Sequence, residues 1–281
     1  MLRNVRQPKP KKPVMLMFHG SGSSAAIFRI QTHGLARELS KSFDLVYLDG
    51  PMPSAPGPGV LPLFADMPSY HRWLTPGNIV LSPAQRLAEL LDVARYVQAQ
   101  LDDQGVKASD VVSILGFSQG ALVAMAMLGL RLAEQSFWEN LRFCTAVGAC
   151  TTGDSTQLDG IETMVTTLSG VLGRPDGKFP GYMVQAAGVK DLWYKDAKRI
   201  SNMCAKDRTK TMDYRDGHVV PRQRAEILKL VQMILATDRS SKEAPHSNEL
   251  ENSWISTVPS ILEGGNLAQG MTVLAQNGIV I

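Results

Sequence analysis

The stretch from Ser113 to Leu128, SILGFSQGALVAMAML, constrains this chain more than any other. A short apolar run enters a pentapeptide of the form G-x-S-x-G, and a longer apolar run leaves it. The reading is a buried strand, a turn of minimal length and a helix. Glycines on both sides let strand and helix approach without a side-chain clash. Ser118 between them is held in a strained backbone conformation that lifts its hydroxyl out of the sheet. The helix N-terminus, and the Gln119 N–H there, favour negative charge developing on a bound carbonyl oxygen. G-x-S-x-G is a common pentapeptide, so by itself it also fits a small residue at a tight corner. The strand–turn–helix context favours a nucleophile.

Along the rest of the chain, short apolar runs alternate with helical patterns, the sign of a parallel sheet with crossover helices. VMLMF (14–18) is apolar throughout, as a strand buried on both faces should be. It leads into HGSGSSAAIF, a loop opening one helix that reaches about Ser40. DLVYL (44–48), VVSILG (111–116), RFCTAVG (142–148), GYMVQAAG (181–188) and TKTMDY (209–214) read as further strands. The stretch 82–103 is an amphipathic helix with Leu87, Leu90, Leu91, Ala94, Val97 and Leu101 on one face, capped by Ser82 with Pro83 in its first turn. PRQRAEILKLVQMILA closes the domain as a last helix. Residues 49–78 form a long Pro/Gly segment, the usual mark of a lid or binding loop. The segment 151–180 is irregular, with one helical piece. After Asp238 the composition turns polar and linker-like, so one α/β domain over 1–238 and an appendage over 239–281 are predicted.

A serine hydroxyl needs a base. Of the five histidines, His19, His33, His71, His218 and His246, the one in a loop between the last strand and the last helix is His218. That is the base position in the chain order Ser, acid, His. His246 lies in the polar linker. The acid should follow the penultimate strand, where Asp191 stands; Asp196, Asp213, Asp216 and Asp154 compete with it. The second donor to an oxyanion should come from the first strand–helix loop, FHGSGSS, with the Ser21 backbone N–H the candidate beside Gln119. His19 would fix this loop rather than serve as base, and His71 either lines a pocket or caps the long loop. Leu61, Leu63, Phe64, Met67 and Trp73 would suit an acyl chain, although loop residues also bury their own apolar surface. The loop 50–77 and the segment 151–180 are the expected walls of that channel.

Composition removes other function classes. The formal net charge of +3 lies partly in the N-terminal RQPKPKKP, and basic clusters interleaved with aromatics do not recur, so nucleic acid is not expected as a partner. No apolar run approaches the ~18 residues of a membrane span, and the first twenty residues lack the apolar core of a secretory signal. Three cysteines, without metal-ligand spacing, fit free thiols in a reducing compartment, so a cytoplasmic location is expected. APGPGVLP lacks the helix and lysine of a phosphate loop. Neither a cofactor nor a metal is implied.

With FHGSGSS, YLDGPMPSAPGPG followed by Trp73, GFSQGA, GVKD and DGHVVP in order, the chain resembles the fungal family of serine hydrolases over roughly residues 12–237. Within it, the chain looks like the stand-alone thioesterases that release polyketides from reducing synthases, of the lovastatin-pathway type. GFSQG and HG are shared with many esterases; the DGP…GPG…W loop is the more family-specific part. The resemblance implies an α/β-hydrolase fold, a triad of Ser118, Asp191 and His218, and oxyanion donors at Ser21 and Gln119. It also implies release of an acyl chain from a synthase carrier protein, an acidic partner suited to a chain with a basic excess. A general short- or medium-chain carboxylesterase and a non-catalytic binding protein are the alternatives. The bulky DLWY after the acid, and the tail beyond 238, depart from the pattern.

Overall fold

Five consecutive apolar residues, Val14–Phe18 (β1), are buried at every position, as a strand covered on both faces requires. The computed structural model describes residues 12–76, 78–133, 138–151, 161–162, 164–166, 169 and 174–243. Within them, β1 joins Asp44–Leu48 (β2), Val111–Phe117 (β5), Phe143–Val147 (β6), Tyr182–Gly188 (β7) and Thr209–Tyr214 (β8) in one sheet. The order is β2-β1-β5-β6-β7-β8 and every neighbouring pair is parallel.

Side-chain alternation divides the core into two layers. Val14, Leu16 and Phe18 face one cluster with residues of Pro83–Asp103 (α3) and Gln119–Ala133 (α4). Met15 and Met17 face the other, with Ala25–Gln31 (α1), His33–Leu39 (α2) and Arg224–Glu243 (α6). Tyr194–Met203 (α5) connects β7 to β8. Helices on both faces of a parallel sheet, with the tight Ser118 turn between β5 and α4, make this the α/β-hydrolase architecture.

Three features differ from the sequence reading. The single helix expected up to Ser40 is two, because Thr32 leaves helical geometry (φ −95°, ψ 5°). Its Oγ1 donates to the Phe28 carbonyl at 2.6 Å and meets the Tyr47 hydroxyl at 2.8 Å, a back-bond of the kind that bends helices. The last helix begins at Arg224 rather than Pro221 and runs past Asp238 to Glu243. The long loop is partly ordered by pairing: Met52–Pro53 (β3) runs antiparallel to His71–Arg72 (β4). Most of 151–180, including Asp154, the linker with His246, the tail beyond 243 and the basic arm up to residue 11 lie outside the described residues.

Candidate active site

Ser118 follows the last residue of β5 and precedes the first of α4, with φ +56°. A side-chain-bearing residue rarely adopts that conformation, and only the surrounding packing holds it there. The flanking glycines supply the packing. A Cβ on Gly116 would lie 2.1 Å from the Gly120 carbonyl oxygen, and one on Gly120 would lie 2.5 Å from the carbonyls of Phe18 and His19. Strand, helix and the loop after β1 therefore meet backbone to backbone around the serine.

The candidate side chains all sit beyond the C-terminal ends of parallel strands, where open α/β sheets place their ligands. His218, after β8, brings Nε2 to 3.0 Å from Ser118 Oγ and Nδ1 to 2.7 Å from Asp191 Oδ2. Asp191, after β7, is buried, and its other oxygen accepts the Trp193 N–H at 2.8 Å. The competing acids are engaged elsewhere. Asp196 accepts from Thr151, Asp213 binds Lys198 and Tyr194, and Asp216 binds Arg222.

Burial disfavours a charged imidazole at His218, but hydrogen bonds to Asp191 and to the Cys150 sulfur outweigh it, and the pKa is pushed up to about 9. His19 goes the other way. It is fully buried, and desolvation brings it down to about 4, so the ring is neutral. Its Nδ1–H then donates to the Gly20 carbonyl at 2.7 Å, and Nε2 accepts the Gly50 N–H at 3.0 Å. This ring ties the loop after β1 to the loop after β2.

Ser21 lies in that loop and lines a cleft of about 460 Å³ together with Ser118 and His218. The Gln119 N–H is the first of α4 and so has no carbonyl partner within the helix. The Gln119 side chain serves the long loop instead, where its Oε1 accepts the N–H groups of Trp73 and Leu74 at 2.9 and 3.3 Å.

Of the five loop residues expected along an acyl chain, Leu63 and Phe64 line the cleft and Leu61, Met67 and Trp73 do not. Leu61 points to solvent, and Met67 packs on the small cluster of Ile27, Val60 and Phe64. Trp73 is wholly buried in the main core; its ring lies 4.5 Å from that of Phe18 and its Nε1–H donates to the His19 carbonyl at 2.8 Å. An indole needs a partner for its N–H when buried, and the loop after β1 provides one. His71 acts through its backbone, which exchanges hydrogen bonds with Ser23.

Several neighbours of Ser118 and His218 carry no signal in the sequence motifs. Cys150, just after β6, places Sγ 3.2 Å from Ser118 Oγ and 3.8 Å from His218 Nε2. Trp193 sets its ring edge-on to His218 at 4.6 Å, and Phe117 lies 4.8 Å from the same ring. The bulk of DLWY is the one hint of Trp193. The cleft is also lined by Ile30 and Gln31 of α1, Gly34 of α2, and residues 219–222 with Ile227. Among the described residues, no helix is long and apolar enough to cross a membrane, and no cluster of three or more metal-ligating side chains occurs.

A family model described as serine hydrolase (FSH1) matches residues 8–230. The chain belongs to the FSH1 serine hydrolase family. Fungal relatives of this FSH1 member include an esterase, FUS5 of Gibberella moniliformis, 30% identical over 253 residues that cover 90% of this chain and 98% of that one. Thioesterase FSL2 of Gibberella zeae is 27% identical over 236 residues, covering 80% and 92%. A dihydromonacolin L-[lovastatin nonaketide synthase] thioesterase of Aspergillus terreus is 39% identical over 118 residues, covering 41% of this chain and 46% of that one.

Proposed function

We propose that this FSH1-family hydrolase is a thioesterase that hydrolytically releases a polyketide or related acyl chain from a synthase carrier protein. The observation that carries the reading is the continuous hydrogen-bonded chain Asp191–His218–Ser118 opening on an apolar cleft. In this reading His218 Nε2 takes the Ser118 proton as Oγ attacks the thioester carbonyl. Asp191 holds Nδ1–H and stabilises the imidazolium that forms. The oxyanion lies between the Ser21 and Gln119 N–H groups, and losing one such donor costs about 3 kcal/mol of transition-state stabilisation. His218 then returns the proton to the departing thiol, and water, activated by the same ring, hydrolyses the acyl-serine. Val60, Leu63, Phe64 and Ile227 offer the acyl chain an apolar surface.

The relatives named as thioesterases support the thioester, and the synthase in one relative's name supports a carrier-protein donor. The relative named as an esterase favours a second reading, a carboxylesterase acting on oxygen esters with the same residues. Hydrolysis of matched octanoyl thioester and octanoyl oxygen ester by wild type and Ser118→Ala separates them. A higher kcat/KM on the thioester, lost in Ser118→Ala, supports carrier release. An equal or ester-biased rate, lost in the same variant, turns the assignment to the carboxylesterase. Activity absent in wild type, or retained in Ser118→Ala, ends both readings.

A further inference from the structure

Ser118 Oγ meets the protein interior as well as the cleft. The chain leaves β6 through Gly148, at φ +53°, and reaches Cys150, which is fully buried and does not line the cleft. Its Sγ lies 3.2 Å from Ser118 Oγ, closer than the 3.8 Å to His218 Nε2. The turn that carries it is fixed at several points. The Val147 carbonyl accepts the Ser118 N–H at 3.0 Å, and the Gly148 N–H donates to the Ala186 carbonyl at 2.8 Å. The Thr151 hydroxyl donates to Asp196 Oδ2 at 3.0 Å. A Cβ on Gly148 would lie 3.5 Å from Asp191 Oδ2 and 3.6 Å from His218 Cε1, so the same turn passes against the acid and the base. The sulfur is thus held in contact with Oγ by backbone anchored on both sides of it.

Counting protons gives this contact a direction. With His218 neutral and its Nδ1–H on Asp191, Nε2 is an acceptor and takes the Ser118 hydroxyl hydrogen at 3.0 Å. The hydroxyl then has only lone pairs to offer, so across the 3.2 Å contact the S–H donates and Oγ accepts. We infer that Cys150 is a further catalytic residue of the proposed hydrolysis, its thiol donating to Oγ and supporting the negative charge that gathers there when the serine proton leaves. In acylation the O–H bond breaks, its proton passes to Nε2, and Oγ bonds the carbonyl carbon. In deacylation water gives a proton to Nε2 and its oxygen bonds that carbon. The C–Oγ bond then breaks, its electron pair returns to Oγ, and the proton on Nε2 follows. The thiol keeps its own proton throughout and acts in both steps, because Oγ carries charge in each. Buried away from the cleft, Sγ does not reach a substrate carbonyl, which separates this part from that of a nucleophilic cysteine. The inference rests on Ser118 being the nucleophile of the proposed hydrolase.

Cys150→Ala and Cys150→Ser test it as a pair, because they differ by a single hydroxyl and so separate the donor from the packing. Wild type, both variants and Ser118→Ala are reacted with an alkyl fluorophosphonate, in which phosphorus bonds Oγ and fluoride leaves, and labelling is followed by intact mass. The same proteins are given octanoyl-N-acetylcysteamine for hydrolysis. Cys150→Ala should label about 5- to 20-fold more slowly than wild type, less than the loss of a full charge-assisted bond because S–H is a weak donor. Its kcat should fall by a similar factor while KM changes by less than about twofold. Cys150→Ser, which restores a donor, should recover most of both rates. Wild-type rates in Cys150→Ala overturn the role. Equal losses in the two variants overturn it too, since packing alone then accounts for them. Labelling that is absent in wild type, or persists in Ser118→Ala, removes the nucleophile and this inference with it. If wild type is labelled at Ser118 yet hydrolyses no thioester, the thioesterase reading falls, and the labelling rates of the two Cys150 variants still decide the part of the thiol.

Discussion

Gly116 lies beneath Gly120 so closely that a Cβ on the first would meet the carbonyl oxygen of the second at 2.1 Å. That contact is backbone on backbone, so no rotamer change can relieve it. It holds Ser118 at φ +56°, a conformation costing roughly 1–3 kcal/mol that the elbow maintains for geometry rather than stability.

The stored strain can be measured. Ser118→Ala and Ser118→Gly should both lose activity, by at least about 10⁴-fold in kcat/KM if the serine is the nucleophile. They should differ in stability. Glycine tolerates positive φ and alanine does not, so Ser118→Gly should be more stable than Ser118→Ala by about 1 kcal/mol in denaturant unfolding. Equal stabilities would mean that the elbow stores no strain at this residue.

Gly116→Ala addresses the elbow itself. Its Cβ would have to move the start of α4, and overpacking of this kind costs at least about 1–3 kcal/mol. The expected result is a lower unfolding midpoint together with a fall in kcat far larger than any change in KM, since Ser118 is displaced while the cleft remains. A stable, fully active Gly116→Ala would contradict the packing described for the turn.

The pH dependence follows from His218. A base must be neutral to accept the serine proton, and its pKa is pushed up to about 9. Below that value kcat/KM should therefore fall about tenfold per pH unit, and above it level off. Asp191→Asn removes the carboxylate on Nδ1, so the inflection should move down and the plateau fall by about 10⁴-fold. Stability carries the opposite sign. A folded-state pKa above the ordinary 6.5 means that the His218–Asp191 contact stabilises the fold fully below about 6.5 and is lost as pH rises through about 9. A rate profile flat from pH 6 to 10, with chemistry limiting, would remove His218 from the base role.

Much of this arrangement was legible because it is encoded in chain order. Parallel strands all end on one side of the sheet, so residues just after β1, β5, β7 and β8 converge there whatever their separation along the chain. The same logic extends to Cys150 after β6, but a cysteine there carries no motif, and nothing in the spacing tells that its sulfur lies 3.2 Å from Ser118 Oγ. The cleft was harder to read. Trp73 and Leu63 sit in the same aromatic- and leucine-bearing loop, yet one is fully buried and the other 80% exposed. What separates them is a hydrogen bond to the His19 carbonyl, a tertiary contact with no local signature. The α1–α2 wall lacks a sequence signal for a similar reason. Thr32 breaks a helix that periodicity would continue, because its hydroxyl meets Tyr47 on a neighbouring strand.

Gln119 offers a test of how far the long loop depends on the nucleophile turn. Its backbone N–H is the candidate oxyanion donor, whereas its side-chain oxygen holds the N–H groups of Trp73 and Leu74. Gln119→Leu keeps the first and abolishes the second. Two buried N–H groups would be left unpaired, at about 1–3 kcal/mol each, so a loss of roughly 2–6 kcal/mol and a fall in Tm of about 4–24 °C are expected. The damage should also reach the chemistry by a structural route. The His71 carbonyl accepts the Gly22 N–H at 2.8 Å, so loosening residues 71–74 loosens the loop that carries Ser21. Because the Gln119 N–H itself survives, the loss of kcat should stay well below that of Ser118→Ala. Wild-type stability in Gln119→Leu would show that the loop is held by Trp73 packing alone, while activity as low as that of Ser118→Ala would give the side chain a direct part in the reaction.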